Sequence, residues 1–577
     1  MTRSIEMDQR YPIFTTETQC QDCYKCVREC PVKAIRIAKN HASILPELCI
    51  SCGRCVSVCP VQAKTVRDDT GRADMLLQSG QRVIASIAPS WICEFPGVSA
   101  ESFIEALQSL GFSGASETAL GAEAISQETN ELCMHSPRNF LISSACPVVV
   151  EWIKKYQCSL VDHITGLVSP AVAHARMLHR EYGKDVKVVF IGPCIAKKLE
   201  ADQLSEDISL ALTFRDLRSM LRRRKILFSS SPSSSIDWLM GSSHRGNLYP
   251  AEGGMIRTIT VPDNTEVIAV SGIQDIQRDI LGMNEASGHR RVFLEALACS
   301  GGCIHGPGMS LKHESGLERK LKILSQQGTL RDERVQQQLV LLHHYAAGPV
   351  ERPKFSDQQV EDALKKVDKH AESDELNCGG CGYETCRDFA VAVLSRKAEP
   401  GMCVSYMRKK AQRKANALLR SIPLGVVIVD KELRIIESNK PFALMFDEDT
   451  RYIYETFGTL EKALLSKILP FADLFSLVLT SGTDICREHF VSRKQVFNLT
   501  IFSIQPGEVV GGVIHDVTDV QWRRQQIAQN AQEVLRRNLA VVQEIAHKLG
   551  EHMADNEVLL NSIAYSYQDE TTHRKQL

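Results

Sequence analysis

Apolar runs and amphipathic segments alternate along the chain between about residues 80 and 350. A short apolar run bounded by turn residues is typical of a buried strand, whereas apolar positions that repeat every three to four residues favour a helix. The predicted strands are residues 83–88, 186–191 and 267–270, and the predicted helices are residues 100–110, 169–181 and 214–224. This alternation predicts an α/β domain, in which functional residues collect where parallel strands end.

The pattern changes after about residue 413, where strands dominate. Four strands are predicted, at residues 422–430, 433–438, 496–504 and 509–517. The segment resembles a PAS domain, which implies a signal-transmission module over residues 413–520. No cluster of cysteine or histidine in this segment indicates a haem or a flavin site, so its pocket is assigned no ligand.

A long helix is predicted over residues 521–577. Apolar residues recur with a heptad spacing, which is typical of a coiled coil, at Ile527, Ala531, Val534, Val541 and Ile545. Asn538 occupies another seam position, where a polar side chain can fix the register and the oligomeric state. We therefore expect a homodimer joined through the PAS domain and this helix. The alternative is a helix that packs on its own PAS domain.

Composition and charge narrow the function classes. The 577 residues exceed one hydrophobic core, so several domains are expected. A formal net charge of −1 argues against nucleic acid or another polyanion as a partner. The sequence contains no apolar run of about 18 residues, so no membrane helix is predicted. The first residues, MTRSIEMDQRYP, carry no secretory signal, so a cytoplasmic location is expected. In that reducing setting, 20 cysteines rich in CxxC arrays are metal ligands rather than disulfides.

Residues 1–78 contain two copies of the spacing Cys-x2-Cys-x2-Cys-x3-Cys-Pro. This is the pattern of a bacterial two-cluster ferredoxin, in which the fourth cysteine of each copy ligates the other cluster. The first 4Fe-4S cluster is assigned to Cys20, Cys23, Cys26 and Cys59, and the second to Cys49, Cys52, Cys55 and Cys30. Zinc is the alternative, but two tandem copies of this spacing favour clusters and electron transfer.

Four further candidate ligands lie among the cysteines of the α/β region. Three residues separate Cys299 from Cys303, and two of them are glycines. Glycines let the backbone approach a bulky group. On a helix, this spacing would place both thiolates on one face. Two thiolates do not complete a cluster, and the candidate partners are Cys146 and Cys194, each beside a proline. The alternative is a set of unrelated buried thiols.

The segments SSACP (143–147), GPCIAKKLE (192–200) and EALACSGGC (295–303) occur in this order. They resemble the three signatures of the iron-iron (FeFe) hydrogenase catalytic domain. The resemblance implies an H-cluster, which is a 4Fe-4S cubane linked through one thiolate to a di-iron unit with CO, cyanide and a bridging dithiolate. The implied cubane ligands are Cys146, Cys194, Cys299 and Cys303, with Cys303 bridging to the di-iron unit.

Three further matches to the family imply contacts with the cofactor. They are Pro89, Ser90 and Lys197. Lys197 falls where the family places an ammonium against a cyanide ligand, and a charged donor suits such an anion-like group. The alternative for Lys197 is a solvated surface lysine.

The departures from the family concern proton transfer. The family normally has a cysteine as proton donor where this chain has Ala145. A methyl group cannot relay a proton, and general acid–base help is typically worth about 10²–10⁴-fold in rate. Gly192 and Leu297 also stand where the family usually has methionine. We therefore expect a retained cofactor site with slow proton delivery.

The remaining relay positions are mixed. Glu128, Glu131 and Ser169 align with carboxylates and a hydroxyl of the family's proton pathway, although the two glutamates require a one-residue gap. His135 stands where an arginine is common. Glu128, Glu131 and Ser169 are therefore candidates for proton transfer, together with Lys197.

A last group of cysteines follows a polar segment, residues 356–374, that is expected to be a linker or an exposed helix. Its members are Cys378, Cys381, Cys386 and Cys403. Their spacing resembles the small 4Fe-4S domain of corrinoid and electron-transfer subunits, and zinc is the alternative. The four cysteines left over are expected to pack as small apolar residues. They are Cys93, Cys133, Cys158 and Cys486.

The predicted fold class is therefore a multidomain α+β and α/β chain. Its parts are a ferredoxin-like two-cluster domain (1–78), an FeFe-hydrogenase H-domain (79–352), a linker and small 4Fe-4S domain (353–412), a PAS domain (413–520) and a C-terminal coiled-coil helix (521–577). These parts imply an H-cluster and three additional 4Fe-4S clusters.

The functional hypothesis is a sensory FeFe hydrogenase with low turnover. It would bind or slowly oxidise H2, relay redox state through the clusters, and act on a separate kinase or phosphatase. H2 and protons are the expected substrates, and the redox partner is left open. The alternatives are a catalytic hydrogenase with an altered proton path and a hydrogenase-like iron–sulfur scaffold without the di-iron unit.

Overall fold

The computed structural model describes residues 11–16, 19–39, 41–230, 236–286, 291–310, 315–326, 339–492, 495–518, 534–536, 538 and 542. The chain divides into two compact units, one ending at Met402 and the other starting at Cys403. The helix Val404–Ser421 crosses residue 412, where the small domain was predicted to end. In the parts of the chain given above, no helix is both long and apolar enough to cross a membrane.

The N-terminal part of the first unit consists of two similar halves. Each half carries one short helix inside its cysteine run, Lys25–Glu29 or Arg54–Val58. The residue before each helix, Tyr24 or Gly53, has a left-handed backbone, which turns the chain sharply around the space between the cysteines. The strands form two antiparallel pairs, Ile13–Thr15 with Lys64–Val66 and Ile35–Ala38 with His41–Ile44.

Two parallel sheets organise the central domain. The first sheet has the order Gly114–Glu117, Val83–Ile87, Lys187–Gly192, Leu210–Thr213. The second has the order Thr265–Ser271, Arg291–Leu297, Phe140–Ile142. The three predicted strands are confirmed, with ends shifted by one or two residues. The other four strands were not predicted.

Helices flank both sheets. Their bounds are Thr70–Gln78, Trp91–Glu94, Ala100–Ser109, Ala119–His135, Pro147–Tyr156, Pro170–Tyr182, Ala196–Gln203, Phe214–Arg223, Ile273–Ala286 and Gly316–Leu324. The three predicted helices are confirmed. Their starts are fixed by the side chains of Ser99, Ser169 and Thr213, each of which accepts a backbone N–H of the first turn. Short 3-10 segments occupy Cys158–His163, Gly246–Leu248, Ile256–Thr258 and Cys303–His305.

The ends of two neighbouring strands bring two loops together. The backbone N–H of Ala88, just after Val83–Ile87, donates to the carbonyl of Ile191 at 2.9 Å. Ile191 lies near the end of Lys187–Gly192, which leads directly to Pro193 and Cys194. The loops that contain Ser90 and Cys194 therefore start side by side at the carboxyl edge of the sheet, where α/β domains place their sites.

The end of the first unit is a two-helix segment. Asp357–Lys365 and Cys386–Leu394 pack through Val360, Leu364 and Ala390, all buried. Residues 356–374, expected to be a linker or an exposed helix, thus contain a helix with one buried face. Two 3-10 turns complete this part, Glu372–Asp374 and Pro400–Met402.

The second unit begins with the helix Val404–Ser421 and continues into a five-stranded antiparallel sheet. The strand order is Ile435–Ser438, Gly425–Asp430, Val509–Asp516, Gln495–Gln505, Ile485–Ser492. The helices between strands are Lys440–Ala443, Glu448–Phe457, Leu465–Ile468 and Asp473–Ser481. The four predicted strands are confirmed, and Ile485–Ser492 is additional.

Part of the predicted C-terminal helix packs on its own unit. Val534 and Val542 contact a buried cluster that includes Leu419 and Val513, and Asn538 is buried. The three positions are spaced by four and so share one helix face. This packing matches the alternative of a helix docked on its own domain. The other seam residues lie outside the described residues, namely Ile527, Ala531, Val541 and Ile545.

Candidate metal centres

The eight cysteines of the N-terminal part fall into the two predicted groups. Burial first, and then the nearby thiols of Cys23, Cys20 and Cys59, raise the pKa of the Cys26 thiol to about 11. In the other half, burial and the thiols of Cys30 and Cys49 raise the pKa of Cys52 to about 12. Cys55 also has Cys49, Cys52 and Cys30 as neighbours. Each fourth cysteine therefore lies with the opposite run.

Backbone donors and one buried cation surround these thiols. The N–H of Ala34 donates to Cys30 Sγ at 3.3 Å, and the N–H of Ala63 donates to Cys59 Sγ at 3.2 Å. Hydrogen bonds of this kind stabilise the negative charge of ligating thiolates. The Lys64 ammonium is buried and interacts with both Cys26 and Cys55, so its charge acts on both groups.

The segment between Cys299 and Cys303 is a turn and not the helix on which the i, i+4 spacing would place both thiolates on one face. Gly301 and Gly302 have φ of 77° and 102°, a backbone that an L side chain rarely adopts. A Cβ on Gly302 would lie 2.2 Å from the carbonyl oxygen of Pro250. The glycines are needed for this turn and its close packing, and the turn brings both thiols to one side.

The four cysteines implied by the hydrogenase resemblance converge. Burial first, and then the thiols of Cys146 and Cys194, raise the pKa of Cys303. Cys299 has Cys303, Cys194 and Cys146 as neighbours, and burial is again the main cause of its raised pKa. Burial and the Cys146 thiol raise the pKa of Cys194 to about 11, while the Lys197 ammonium opposes this. Three separate loops thus supply four thiols to one buried site.

The number of these thiols matches the ligand set of a cluster. A cubane is held by four thiolates, one at each iron corner. Among the residues that the structure describes, no group of three or more His, Cys, Asp or Glu side chains is arranged for a single metal ion.

Ser90 provides an independent sign of a missing partner. Its side chain is completely buried at the start of Trp91–Glu94, and its Oγ has no hydrogen-bond partner within the described part of the chain. An unsatisfied buried hydroxyl costs about 1–3 kcal/mol. The loop that contains Ser90 starts beside the loop that contains Cys194. A ligand at this site that accepts a hydrogen bond would therefore satisfy the Ser90 hydroxyl. A cyanide ligand of the implied cofactor has this property.

Lys197 is buried and fully engaged. Its ammonium donates to Ser169 Oγ at 2.7 Å and to Glu200 Oε2 at 2.6 Å, and it lies 5.9 Å from the ring centre of Phe190. With its side chain 9% exposed, Lys197 is not a solvated surface lysine. A positive charge held near Cys194 suits the anionic ligands of the implied cofactor.

Glu200 was not singled out by the sequence reasoning. Its carboxylate accepts from both Lys197 and Ser169, and its side chain is 13% exposed. The signal that could have found it is the i, i+3 spacing of a lysine and a glutamate on one helix, Ala196–Gln203.

The predicted relay residues do not form one chain. Ser169 Oγ contacts Lys197, Glu200 and the backbone N–H of Val172. Glu131 is exposed and pairs with His135 at 3.5 Å on the helix Ala119–His135. Glu128 lies on the same helix, and no contact among the described residues joins it to Ser169.

Ala145 is half-buried and packs against the apolar core of the domain. Its backbone N–H donates to Ser143 Oγ at 3.3 Å, and its methyl side chain offers no donor or acceptor. Gly192 is required where it stands, since a Cβ would lie 2.6 Å from the Phe190 ring. The family's methionine at that position would clash with Phe190.

Cys378 and Cys381 flank a pair of glycines in one loop. Cys378 is exposed, Cys381 is half-buried, and Cys386 and Cys403 are buried. The N–H of Cys386 donates to Asn377 Oδ1 at 2.8 Å, which fixes the start of its helix. Of the cysteines expected to pack, Cys93 and Cys133 are buried and Cys158 is half-buried. Cys486 is exposed, so packing does not explain it.

Three protein-family models match parts of the chain. Residues 81–307 match the family model of the iron only hydrogenase large subunit, C-terminal domain. The central domain is therefore similar to the catalytic domain of iron-only hydrogenases. Residues 12–60 match a 4Fe-4S dicluster domain, which confirms the ferredoxin assignment. Residues 374–405 match an Fe-S cluster family, and this match spans all four cysteines of the small domain. The chain is an FeFe-hydrogenase-like iron–sulfur protein.

The curated relatives are distant. Iron hydrogenase 1 of Clostridium pasteurianum is 27% identical over 267 residues, covering 37% of this chain and 46% of that protein. The periplasmic Fe hydrogenase large subunit of Nitratidesulfovibrio vulgaris is 25% identical over 371 residues, with coverages of 52% and 87%. The cytosolic Fe-S cluster assembly factor NAR1 of Encephalitozoon cuniculi is 26% identical over 191 residues, with coverages of 30% and 52%.

The chain thus spans about half the length of the first of these relatives. Among solved structures, a variant of the FeFe-hydrogenase HydA1 from Chlamydomonas reinhardtii is 19% identical, with a TM-score of 0.40. That similarity covers 49% of this chain and all of the other.

Proposed function

We propose that this protein is a sensory FeFe hydrogenase, which binds or slowly and reversibly oxidises H2 and passes the redox change through its 4Fe-4S clusters. The observation that carries the proposal is Ala145 beside Cys146, at a four-thiol site that keeps the family's serine and lysine at Ser90 and Lys197. A site built to hold the cofactor but deprived of its nearest proton donor suits detection better than turnover.

The residues present fit an H-cluster. The group would supply an open iron coordination position at which H2 binds and is split. Cys146, Cys194, Cys299 and Cys303 would hold the cubane. The Ser90 hydroxyl would donate a hydrogen bond to a cyanide ligand, and the Lys197 ammonium would balance its charge. The buried surroundings exclude water, which strengthens both interactions.

Electron transfer is supported by the contact between the ferredoxin and hydrogenase domains. Cys52 lies among the thiols that interact with Cys299. Between the two domains, a Cβ on Gly53 would come within 3 Å of Pro307 and Ile195. Only glycine allows the second ferredoxin cluster to lie this close to the hydrogenase site.

A second connection joins the ferredoxin domain to the small domain. The N–H of Ile37 donates to the carbonyl of Lys397 at 2.8 Å. Burial first, and then the thiols of Cys381 and Cys30, raise the pKa of Tyr383. Tyr383 thus lies near a cysteine of each domain. The second ferredoxin cluster would exchange electrons with both the H-cluster and the small cluster.

The second unit is proposed as the signal output. Its segment resembles a PAS domain, and a PAS domain followed by a helix can transmit by contact with a partner. The expected partners are a second copy of this chain and a separate kinase or phosphatase.

An iron–sulfur scaffold without the di-iron unit is the second candidate. Its support is the relationship to an Fe-S cluster assembly factor. The unpartnered Ser90 hydroxyl and the buried Lys197 weigh against it. A cubane alone has no cyanide ligand with which either side chain could interact.

The experiment is to expose oxidised, fully maturated protein to H2 and to follow reduced 4Fe-4S signals by electron paramagnetic resonance. The proposal predicts that the signals appear slowly with H2 and not under argon. Protein carrying only the cubanes serves as the control and should not respond. A response of equal size in that control would contradict the proposal.

A further inference from the structure

Three hydrogen bonds connect the side chains of Lys197, Ser169 and Glu200. Its ammonium donates to Ser169 Oγ at 2.7 Å, and the Ser169 hydroxyl donates to Glu200 Oε2 at 3.0 Å. Lys197 also donates to the same carboxylate oxygen at 2.6 Å. Every donor in this group therefore points towards Glu200. A proton can move along such a chain by successive transfers without rearrangement of the side chains.

A cavity of about 220 Å³ lies beside Glu200. Its inner wall includes the buried side chains of Ser144 and Ser169, and its outer end reaches the exposed Gln203. Ser144 precedes Ala145 in the chain, so the inner wall lies one residue from the position where the family has its proton donor. Water in the liquid takes about 30 Å³ per molecule, and the lining mixes polar with apolar side chains, so the cavity has room for several waters along its polar side.

The outer part of the cavity is also polar. It is lined by Lys154 and by the rings of His343 and Tyr345, which lie 4.6 Å apart. The residues aligned with the family's proton pathway do not form a continuous chain here, because Glu131 is exposed and pairs with His135. Glu200 is thus the carboxylate that the structure connects both to Ser169 and to a water-sized space.

We infer that protons enter and leave the hydrogen-reacting site through this cavity, with Glu200 passing them between Ser169 and cavity water. In the outward direction, Ser169 Oγ–H transfers its proton to Glu200 Oε2, and a proton from the inner side of the site restores the hydroxyl. The Lys197 ammonium stays charged and holds both side chains in place by its hydrogen bonds. The neutral carboxylic acid then releases its proton to a water, which leaves as hydronium. One proton crosses and no electron moves.

This inference rests on the proposed function, and infrared difference spectroscopy on maturated protein separates the two. CO and cyanide bands report that the cofactor is loaded, whereas a carboxyl C=O band that shifts in D2O reports protonation of a buried acid. Glu200→Gln should remove the carboxyl band and slow H2/D2 exchange by about 10²-fold, with CO and cyanide bands retained. Glu206→Gln is the matched control, since Glu206 is exposed and outside the cavity lining.

Glu200→Asp should restore part of the exchange rate, because it keeps a carboxylate near Ser169. If Glu200→Gln does not load, Gln203→Trp decides, since it obstructs the outer end without touching Lys197 or Ser169. Unchanged exchange in a loaded Glu200→Gln or Gln203→Trp protein overturns the inference. Slower exchange in Glu131→Gln alone would assign the route to the family's pathway instead. Missing CO and cyanide bands in the wild type overturn the proposed function and the inference with it.

Discussion

The Lys155 ammonium donates a 2.7 Å hydrogen bond to the backbone carbonyl of Cys49. Lys155 lies near the end of the helix Pro147–Tyr156, whose preceding residue is Cys146. One helix of ten residues, about 15 Å long, thus links a ligand of the hydrogenase site to a ligand of the ferredoxin domain. The contact fixes the separation between the hydrogenase site and the second cysteine group of the ferredoxin domain. It also places a positive charge at that cysteine group.

Lys155→Met should lower the reduction potential of the cluster held by Cys30, Cys49, Cys52 and Cys55. Reduction adds negative charge, which the nearby ammonium stabilises. A redox titration monitored by electron paramagnetic resonance measures the change. Lys154→Met is the control, because the Lys154 ammonium pairs with Glu151 and not with Cys49. Equal shifts in the two variants would show that the contact with Cys49 has no special effect.

Ala145→Cys should raise H2 turnover, because it restores a titratable group beside Cys146. General acid–base help of this kind is worth about 10²–10⁴-fold where the remaining path is intact. The measurement is H2 uptake by maturated protein with an artificial electron acceptor. Ala145→Ser is the control, since its hydroxyl is a far weaker acid. Turnover that stays at the wild-type level in a fully loaded Ala145→Cys protein would show that another step limits the rate.

Cys386→Ser should remove about four irons per chain, the content of one cubane. The N–H of Cys386 is held by Asn377, so the substitution acts on the ligand and not on the helix start. Metal analysis after anaerobic purification measures iron and zinc together. If the wild type contains stoichiometric zinc and Cys386→Ser loses it, the four cysteines form a zinc site and not a cluster site.

A chain ending at Ser421 should be monomeric and keep the slow hydrogen chemistry, whereas the full chain should be a homodimer. The truncation removes the sheet of the second unit and the predicted helix, while Cys403 and its helix remain. Light scattering measures the masses. Because Val534 and Asn538 are buried against their own unit, the dimer contact would have to use other surfaces. A dimeric truncated protein would put the contact elsewhere.

Cysteine spacing allowed most of the candidate sites to be predicted from the sequence. Thiolate runs such as that from Cys20 to Cys30 have few uses other than clusters, and the structure groups them as the spacing indicates. The segment from Cys299 to Cys303 shows the limit of such patterns. Its i, i+4 spacing also fits a turn, and Gly301 and Gly302 take the positive φ that rules out a helix.

The missed elements have physical reasons. Three of the four missed strands of the central domain have four residues or fewer, too short for a periodicity to stand out. The contact of Ser169 with Glu200 joins residues 31 positions apart and depends on the packing of two helices. The separation of Ser169 from the pair of Glu131 and His135 likewise became visible only in three dimensions.

Infrared spectroscopy of anaerobically maturated protein tests the central claim most directly, because CO and cyanide absorb where protein groups do not. The matched variant is Cys303→Ser, which removes the thiolate implied to bridge to the di-iron unit and keeps the ferredoxin cysteines. The account predicts CO and cyanide bands in the wild type that shift under H2, and their loss in Cys303→Ser. A wild-type protein with full 4Fe-4S content and no such bands would contradict it.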